Sequence, residues 1–267
     1  MKLRPVAAIA LRQFYLMRSS PTRILPMLAW VGIDIVLWGF ISRYLNSVTA
    51  GGMNFISSLL GAVLFWDLFT RVMQGVTMAF FEDVWSRNFV NVFASPLLIS
   101  EYLTGLVLTS VATSFAGLVV MIVLASSLFG LSFLSMGLLL LPFLLVLYLF
   151  GVAFGVLACA LVLRFGPASE WLVWPIPAML SPFVGVFYPL ATLPAWMQGI
   201  GHALPPSYVF ENMRSIVAGH GYSAAGLVVG VVLAIAYVVL AGMVFARIYR
   251  YAVRSGLLAR YSAESVG

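Results

Sequence analysis

Few side chains in this chain could do chemistry, and they fall into three groups. Among 267 residues there are 14 basic and 8 acidic ones. Asp34, Asp67 and Arg71 interrupt long apolar runs. Glu82, Asp83 and Arg87 lie in "FEDVWSRNFVNVFASPLL" (81–98). Glu211 and Arg214 lie in "FYPLATLPAWMQGIGHALPPSYVFENMR" (187–214). None of the three groups forms a catalytic pattern. The only lysine is Lys2, so no G-x-x-x-x-G-K-[ST] phosphate loop exists in the chain. His202 and His220 are the only histidines, and neither belongs to an H-E-x-x-H or nucleophile-elbow arrangement. The single cysteine, Cys159, lies in an apolar run, which leaves no disulfide framework and no cysteine metal site. The chain therefore reads as a non-enzyme with no cofactor or metal of its own.

What remains is ion pairing and membrane work. Charged residues make up 8% of the chain and hydrophobic ones 63%, whereas soluble domains are about a quarter charged. The expected class is an all-α integral membrane protein. Six apolar runs are of spanning length: 22–43, 55–81, 97–129, 133–163, 169–190 and 223–247. They form one transmembrane domain over 1–267, with a tail at 248–267. Pro175, Pro177 and Pro182 must bend or interrupt the fifth run. Residues 1–20 read as an amphipathic helix in the membrane interface, with Leu3, Val6, Ala7, Ala10, Phe14 and Met17 on one side and Arg12 on the other. Gly151/Gly155 and Gly226/Gly230 are small-residue pairs suited to close helix packing.

The net charge of +6 could suggest nucleic acid, but its distribution is a topology signal. Lys2, Arg4, Arg12, Arg18, Arg23, Arg87, Arg164, Arg247, Arg250, Arg254 and Arg260 fall on one side of six spans, and only Arg43 and Arg214 on the other. The positive-inside rule puts both termini in the cytoplasm and 191–215 outside. Asp34 and Asp67 then each lie about 18 Å along their spans, near mid-depth. Asp67 and Arg71 are spaced i,i+4 and can pair. They fit either a polar stretch of a translocation path or a buried pair that fixes packing. The loop at 81–98, read as a short helix, places Asp83, Arg87 and Asn91 on one face. Trp85, Phe89, Val92 and Phe93 lie largely on the other. Exposed aromatics of that kind suit a partner surface or the membrane.

The ordered combination resembles the permease subunits of type-2 ABC exporters. A basic amphipathic start precedes six spans, and a helical loop separates spans two and three. Before span six stand Phe187, Pro189, Leu190, Leu193, Pro194, Trp196, Pro205, Tyr208 and Arg214. The resemblance covers nearly the whole chain, and the short external loops and lack of a fused ATPase match the bacterial half-size members. It implies a coupling helix at 82–95, with Glu82 at its start and Asp83, Trp85, Arg87 and Phe89 within it, docking into a separate ATP-binding subunit. ATP and magnesium would bind that partner. A second permease copy or paralogue would complete the transporter, in the bacterial inner membrane. The resemblance also implies a re-entrant helical hairpin at 191–215, gating the exit, with Pro189, Pro194, Trp196, Pro205, Tyr208, Glu211 and Arg214 in it. Cargo would be a drug, polysaccharide, glycolipid or similar substrate. The rival reading is a secondary transporter or channel that uses Asp34, Asp67 and Arg71 without an ATPase.

Overall fold

The computed structural model describes residues 3–19, 21–48, 56–86, 97–131 and 137–257. All regular structure among them is helical. Helix α1 spans Leu3–Arg18 and α2 Pro21–Val48. A π-helical turn, Ile56–Leu60, runs into α3, Gly61–Trp85. Then come α4, Ile99–Phe129, and α5, Leu140–Phe165. A 3₁₀ segment, Pro167–Leu172, precedes α6, Ile176–Val184. After a 3₁₀ turn, Leu190–Thr192, follow α7, Ala195–Ala203, α8, Pro205–Val217, and α9, Ala224–Arg254.

Four helical stretches among the described residues are long and apolar enough to cross a membrane: Ser58–Trp85, Ile99–Phe129, Gly137–Phe165 and Ala224–Arg254. The protein is a multi-pass membrane protein. Helix α2, at 28 residues, is about 42 Å long, which also suffices in length. The run at 169–190 is not one continuous helix. It is divided into the 3₁₀ segment, the nine-residue α6 and a turn closed by Gly185 at φ 65°. Pro175 precedes α6, Pro177 occupies its first turn and Pro182 lies inside it. Each lacks an N–H to continue the hydrogen-bond ladder.

Helix α3 is the centre of the packing, between α4 on one side and α5 on the other. Helix α9 lies along α5, and α1 and α2 both lean on α4. In lipid there is little hydrophobic drive between helices, so close packing and small residues decide which ones meet. Gly151 and Gly155 of α5 fit against Val72 and Val76 of α3. An added Cβ would come within 2.7 Å and 2.8 Å of those side chains. Gly75 of α3 admits Ser110 of α4, whose hydroxyl donates to the Val72 carbonyl at 2.8 Å. Gly230 of α9 sits against Tyr208 of α8. Both glycine pairs thus serve packing within the chain.

One boundary and one helix face depart from the sequence reading. Helix α3 continues past 81 to Trp85. On α1 the buried positions are Val6, Ile9 and Gln13, while Leu3 and Phe14 are exposed. Ile9 is not among the residues of the apolar side read from the sequence. It is central instead, because Gly105 of α4 leaves room for it: a Cβ there would lie 2.6 Å from Ile9.

Candidate functional site

Three polar clusters are spaced along the molecule. The first is in mid-span. Arg71 Nε donates to Asp67 Oδ2 at 2.6 Å, one turn apart on α3. The side chains are 8% and 17% exposed. The pair neutralises itself within one helix, which lowers the cost of either charge at membrane depth. Asp34 on α2 is half-buried and within electrostatic reach of both, with no ion-pair partner among the described residues. The neighbouring aromatics are mostly packing. Phe65 packs edge-on against Phe143, and Phe69 lies against Phe150 and Phe154. Phe65 and Phe69 are buried, and only Trp66 is partly open.

The second cluster lies where α1, α3 and α4 meet, at the basic end of the molecule. Asp83 is fully buried. Its Oδ1 accepts from Arg12 Nη2 of α1, and its Oδ2 accepts from the Tyr102 hydroxyl of α4 at 2.8 Å. Gln13 of α1 donates to the Ala79 carbonyl at 3.5 Å. The hydrogen bond to Asp83 raises the Arg12 guanidinium above even its ordinary range, with burial opposing, so Arg12 stays charged at any physiological pH.

The sequence reading makes Glu82, Asp83 and Trp85 the start of a coupling helix in the loop after the second span, with Asp83 on one face beside Arg87 and Asn91. The structure corrects this: all three belong to the last turns of α3. The helix passes through Asp83 because a distant arginine satisfies its charge, so nothing forces the span to stop at 81. Trp85 is exposed, and its indole donates to Glu170 Oε2 at 2.9 Å. That contact ties the end of α3 to the 3₁₀ segment after α5. Arg87 and Phe89 lie outside the described residues.

The third cluster is at the opposite end, in α6–α8. Glu211 Oε1 accepts from the Leu190 backbone N–H at 2.8 Å and from Arg214 Nη2 at 2.7 Å. Arg214 Nη1 donates to the Gly185 carbonyl at 2.7 Å. The expected i,i+3 pair therefore has a further task. It satisfies backbone groups that the proline-broken turn between α6 and α7 leaves open. Broken backbone at membrane depth is tolerated when protein groups supply such partners.

The prolines start the short pieces. Pro189 precedes the 3₁₀ turn, Pro194 precedes α7, and Pro205 opens α8. The Tyr208 hydroxyl donates to the His202 carbonyl at 2.9 Å, bracing α8 against the end of α7. Trp196 is 65% exposed and its ring meets Phe183 edge-on. Trp38 of α2 stacks on Phe187, with ring centroids 5.1 Å apart, which links this end to the mid-span region.

Arg12, Tyr102 and Glu170 are the residues that sequence reasoning missed as partners. Arg12 did carry a signal: a lone arginine in an otherwise apolar stretch needs an acid. Tyr102 and Glu170 carried none.

Residues 6–218 match the family described as ABC-2 type transporter. That is most of the chain, and it contains all three clusters. The chain belongs to this family of ABC-transporter membrane proteins. It is a transmembrane permease component, not a nucleotide-binding one, and works with an ABC ATP-binding partner. No curated protein matches the chain significantly.

Proposed function

We propose that the chain is the membrane-spanning subunit of an ATP-driven exporter of the bacterial inner membrane. It crosses the membrane six times with both termini, and hence the basic end, in the cytoplasm. It pairs with a second copy or a paralogue. Separate ATP-binding subunits carry ATP and magnesium and dock against residues 82–95. Closure of the ATPases then shifts the permease pair between inward and outward states and moves an amphiphile, sugar polymer or drug outward.

The observation that best supports this reading is the Arg12–Asp83–Tyr102 cluster. Helix α3 ends beside it, at Trp85. A push delivered there reaches α1, α3 and α4 together, because Asp83 has an oxygen committed to each neighbour. Trp85, tied to Glu170, would carry the same push to the α5–α6 connection. At the far end, α7 and α8 form a re-entrant hairpin held by Glu211 and Arg214 and act in the exit gate.

The test is to co-express the permease with its ATP-binding subunit and compare wild type with Trp85→Ala and Phe89→Ala. ATPase co-purification, or transport per ATP hydrolysed, should fall several-fold in both. Normal assembly and coupling in both variants would overturn the docking assignment. A secondary transporter or channel built on Asp34, Asp67 and Arg71 predicts transport that persists without the ATPase. The closed Asp67–Arg71 pair argues against it, since it leaves only Asp34 with a free charge among the three.

A further inference from the structure

The cytoplasmic end of α9 carries charge that neither the fold nor the proposed transport cycle uses. Arg247, Arg250 and Arg254 recur at i, i+3 and i+7. At 100° per residue they fall within one arc of about 60°, with Tyr251 about 40° beyond it. Together with Tyr251 they line an open hollow of about 300 Å³. Arg164, from the end of α5, places its guanidinium 4.3 Å from the centre of the Tyr251 ring. Three arginines thus share one hollow with Tyr251, and the guanidinium of a fourth lies over the Tyr251 ring. None of them has a carboxylate partner among the described residues. A topology signal needs basic residues on one side of the membrane, but it does not need them on one face. Such convergence is repulsive until an anion lies between the charges.

The same face of α9 continues toward the membrane interior as an apolar stripe. Val229, Val232, Leu240 and Met243 are all exposed; Val229, Val232 and Met243 project within the arc that contains the arginines, and Leu240 about 20° beyond it. An apolar strip that ends in a cluster of forked cations matches one kind of molecule: an acyl chain joined to a phosphate. Arg presents paired N–H donors that suit phosphate oxygens.

We propose that Arg247, Arg250, Arg254 and Arg164, with Tyr251, form a binding site for the phosphate headgroup of an anionic phospholipid of the cytoplasmic leaflet, whose acyl chains lie along the α9 stripe. The leaflet assignment rests on the topology given above. The site itself does not.

The test is lipid titration of the detergent-solubilised full chain, read by native mass spectrometry. Phosphatidylglycerol and phosphatidylcholine are the probes, and glycerol phosphate is the soluble competitor. In detergent both ends are accessible, so the outcome does not depend on which side the termini occupy. Cysteine labelling at positions 19 and 262 tests that separately. Wild type should retain phosphatidylglycerol at least about tenfold more tightly than phosphatidylcholine, since each basic residue near anionic headgroups contributes roughly a factor of five. The triple change Arg247→Gln, Arg250→Gln, Arg254→Gln should abolish the preference. The triple Arg→Lys variant keeps the charge and topology signal but loses the fork, and should retain only part of it. Equal retention of the two lipids by a wild-type chain whose Cys159 remains protected from thiol reagents would overturn the proposal. Displacement of the lipid by glycerol phosphate at matching concentration would overturn its lipid half and leave a soluble-anion site.

Discussion

Helix α3 carries two ion pairs whose acids, Asp67 and Asp83, are about 24 Å apart along its axis. They behave differently because of what they span. Asp67–Arg71 closes within one turn of one helix. It would survive any movement of α3 relative to its neighbours, so it cannot fix where those neighbours sit. Asp83–Arg12 joins residues 71 positions apart, and Tyr102 adds a third element. It exists only when α1, α3 and α4 are assembled. The first pair makes a charge tolerable in the membrane. The second makes three helices move as one. A buried pair is therefore not a single kind of object, and its consequence follows from whether the partners share an element.

The largest effect is expected where the spanning pair is broken. Asp83→Ala leaves a half-buried guanidinium and a buried tyrosine hydroxyl without their acceptor. Loss of one partner of a buried pair costs about 3–5 kcal/mol. The side chain of Arg12 is 30% exposed, so the low end of about 3 kcal/mol applies. Cys159 is the only cysteine and is fully buried. Its reactivity with a thiol dye on heating or in graded denaturant therefore reports unfolding without engineering. A stability loss in Asp83→Ala below about 1 kcal/mol would show that the pair does not hold the three helices together.

Replacing both partners sharpens the comparison. Asp67→Leu with Arg71→Leu should cost less than about 1 kcal/mol, because an apolar replacement of a self-contained buried pair is often tolerated. Arg12→Leu with Asp83→Leu should still cost about 1–3 kcal/mol, because the Tyr102 hydroxyl remains buried without its acceptor. Vesicle transport assays on the first double variant then decide its role. Loss of transport at normal abundance puts Asp67 and Arg71 in the path. Unchanged transport leaves them as packing.

Within the spanning cluster the smallest expected effect is that of Tyr102→Phe, which removes one hydrogen bond and keeps the Arg12–Asp83 pair. A loss of about 1 kcal/mol is expected by the same thiol-reactivity unfolding measurement. Combined with Arg12→Leu and Asp83→Leu, it should recover part of that variant's loss, since the stranded hydroxyl is then gone. A purely additive cost would mean that the hydroxyl and the ion pair do not form one cluster.

The sequence by itself determined whatever has a local period or a composition. Apolar runs gave the membrane class, and the i,i+4 spacing gave Asp67–Arg71. Prolines gave the broken run at 169–190 and the short pieces before α9. The ordered Pro, Trp, Tyr and Arg signature before the last helix led to the family. Tertiary structure alone decided what depends on how helices cross. Asp83 looks like a surface acid at a loop until Arg12 arrives from 71 residues away. Glu211 and Arg214 look like a simple pair until the turn at Gly185 and Leu190 folds back onto them. Ile9 looks misplaced on α1 until Gly105 opens a place for it. Local periodicity fixes which side of a helix a residue occupies. It cannot specify which other helix will meet that side, because the meeting depends on packing between residues far apart in the chain.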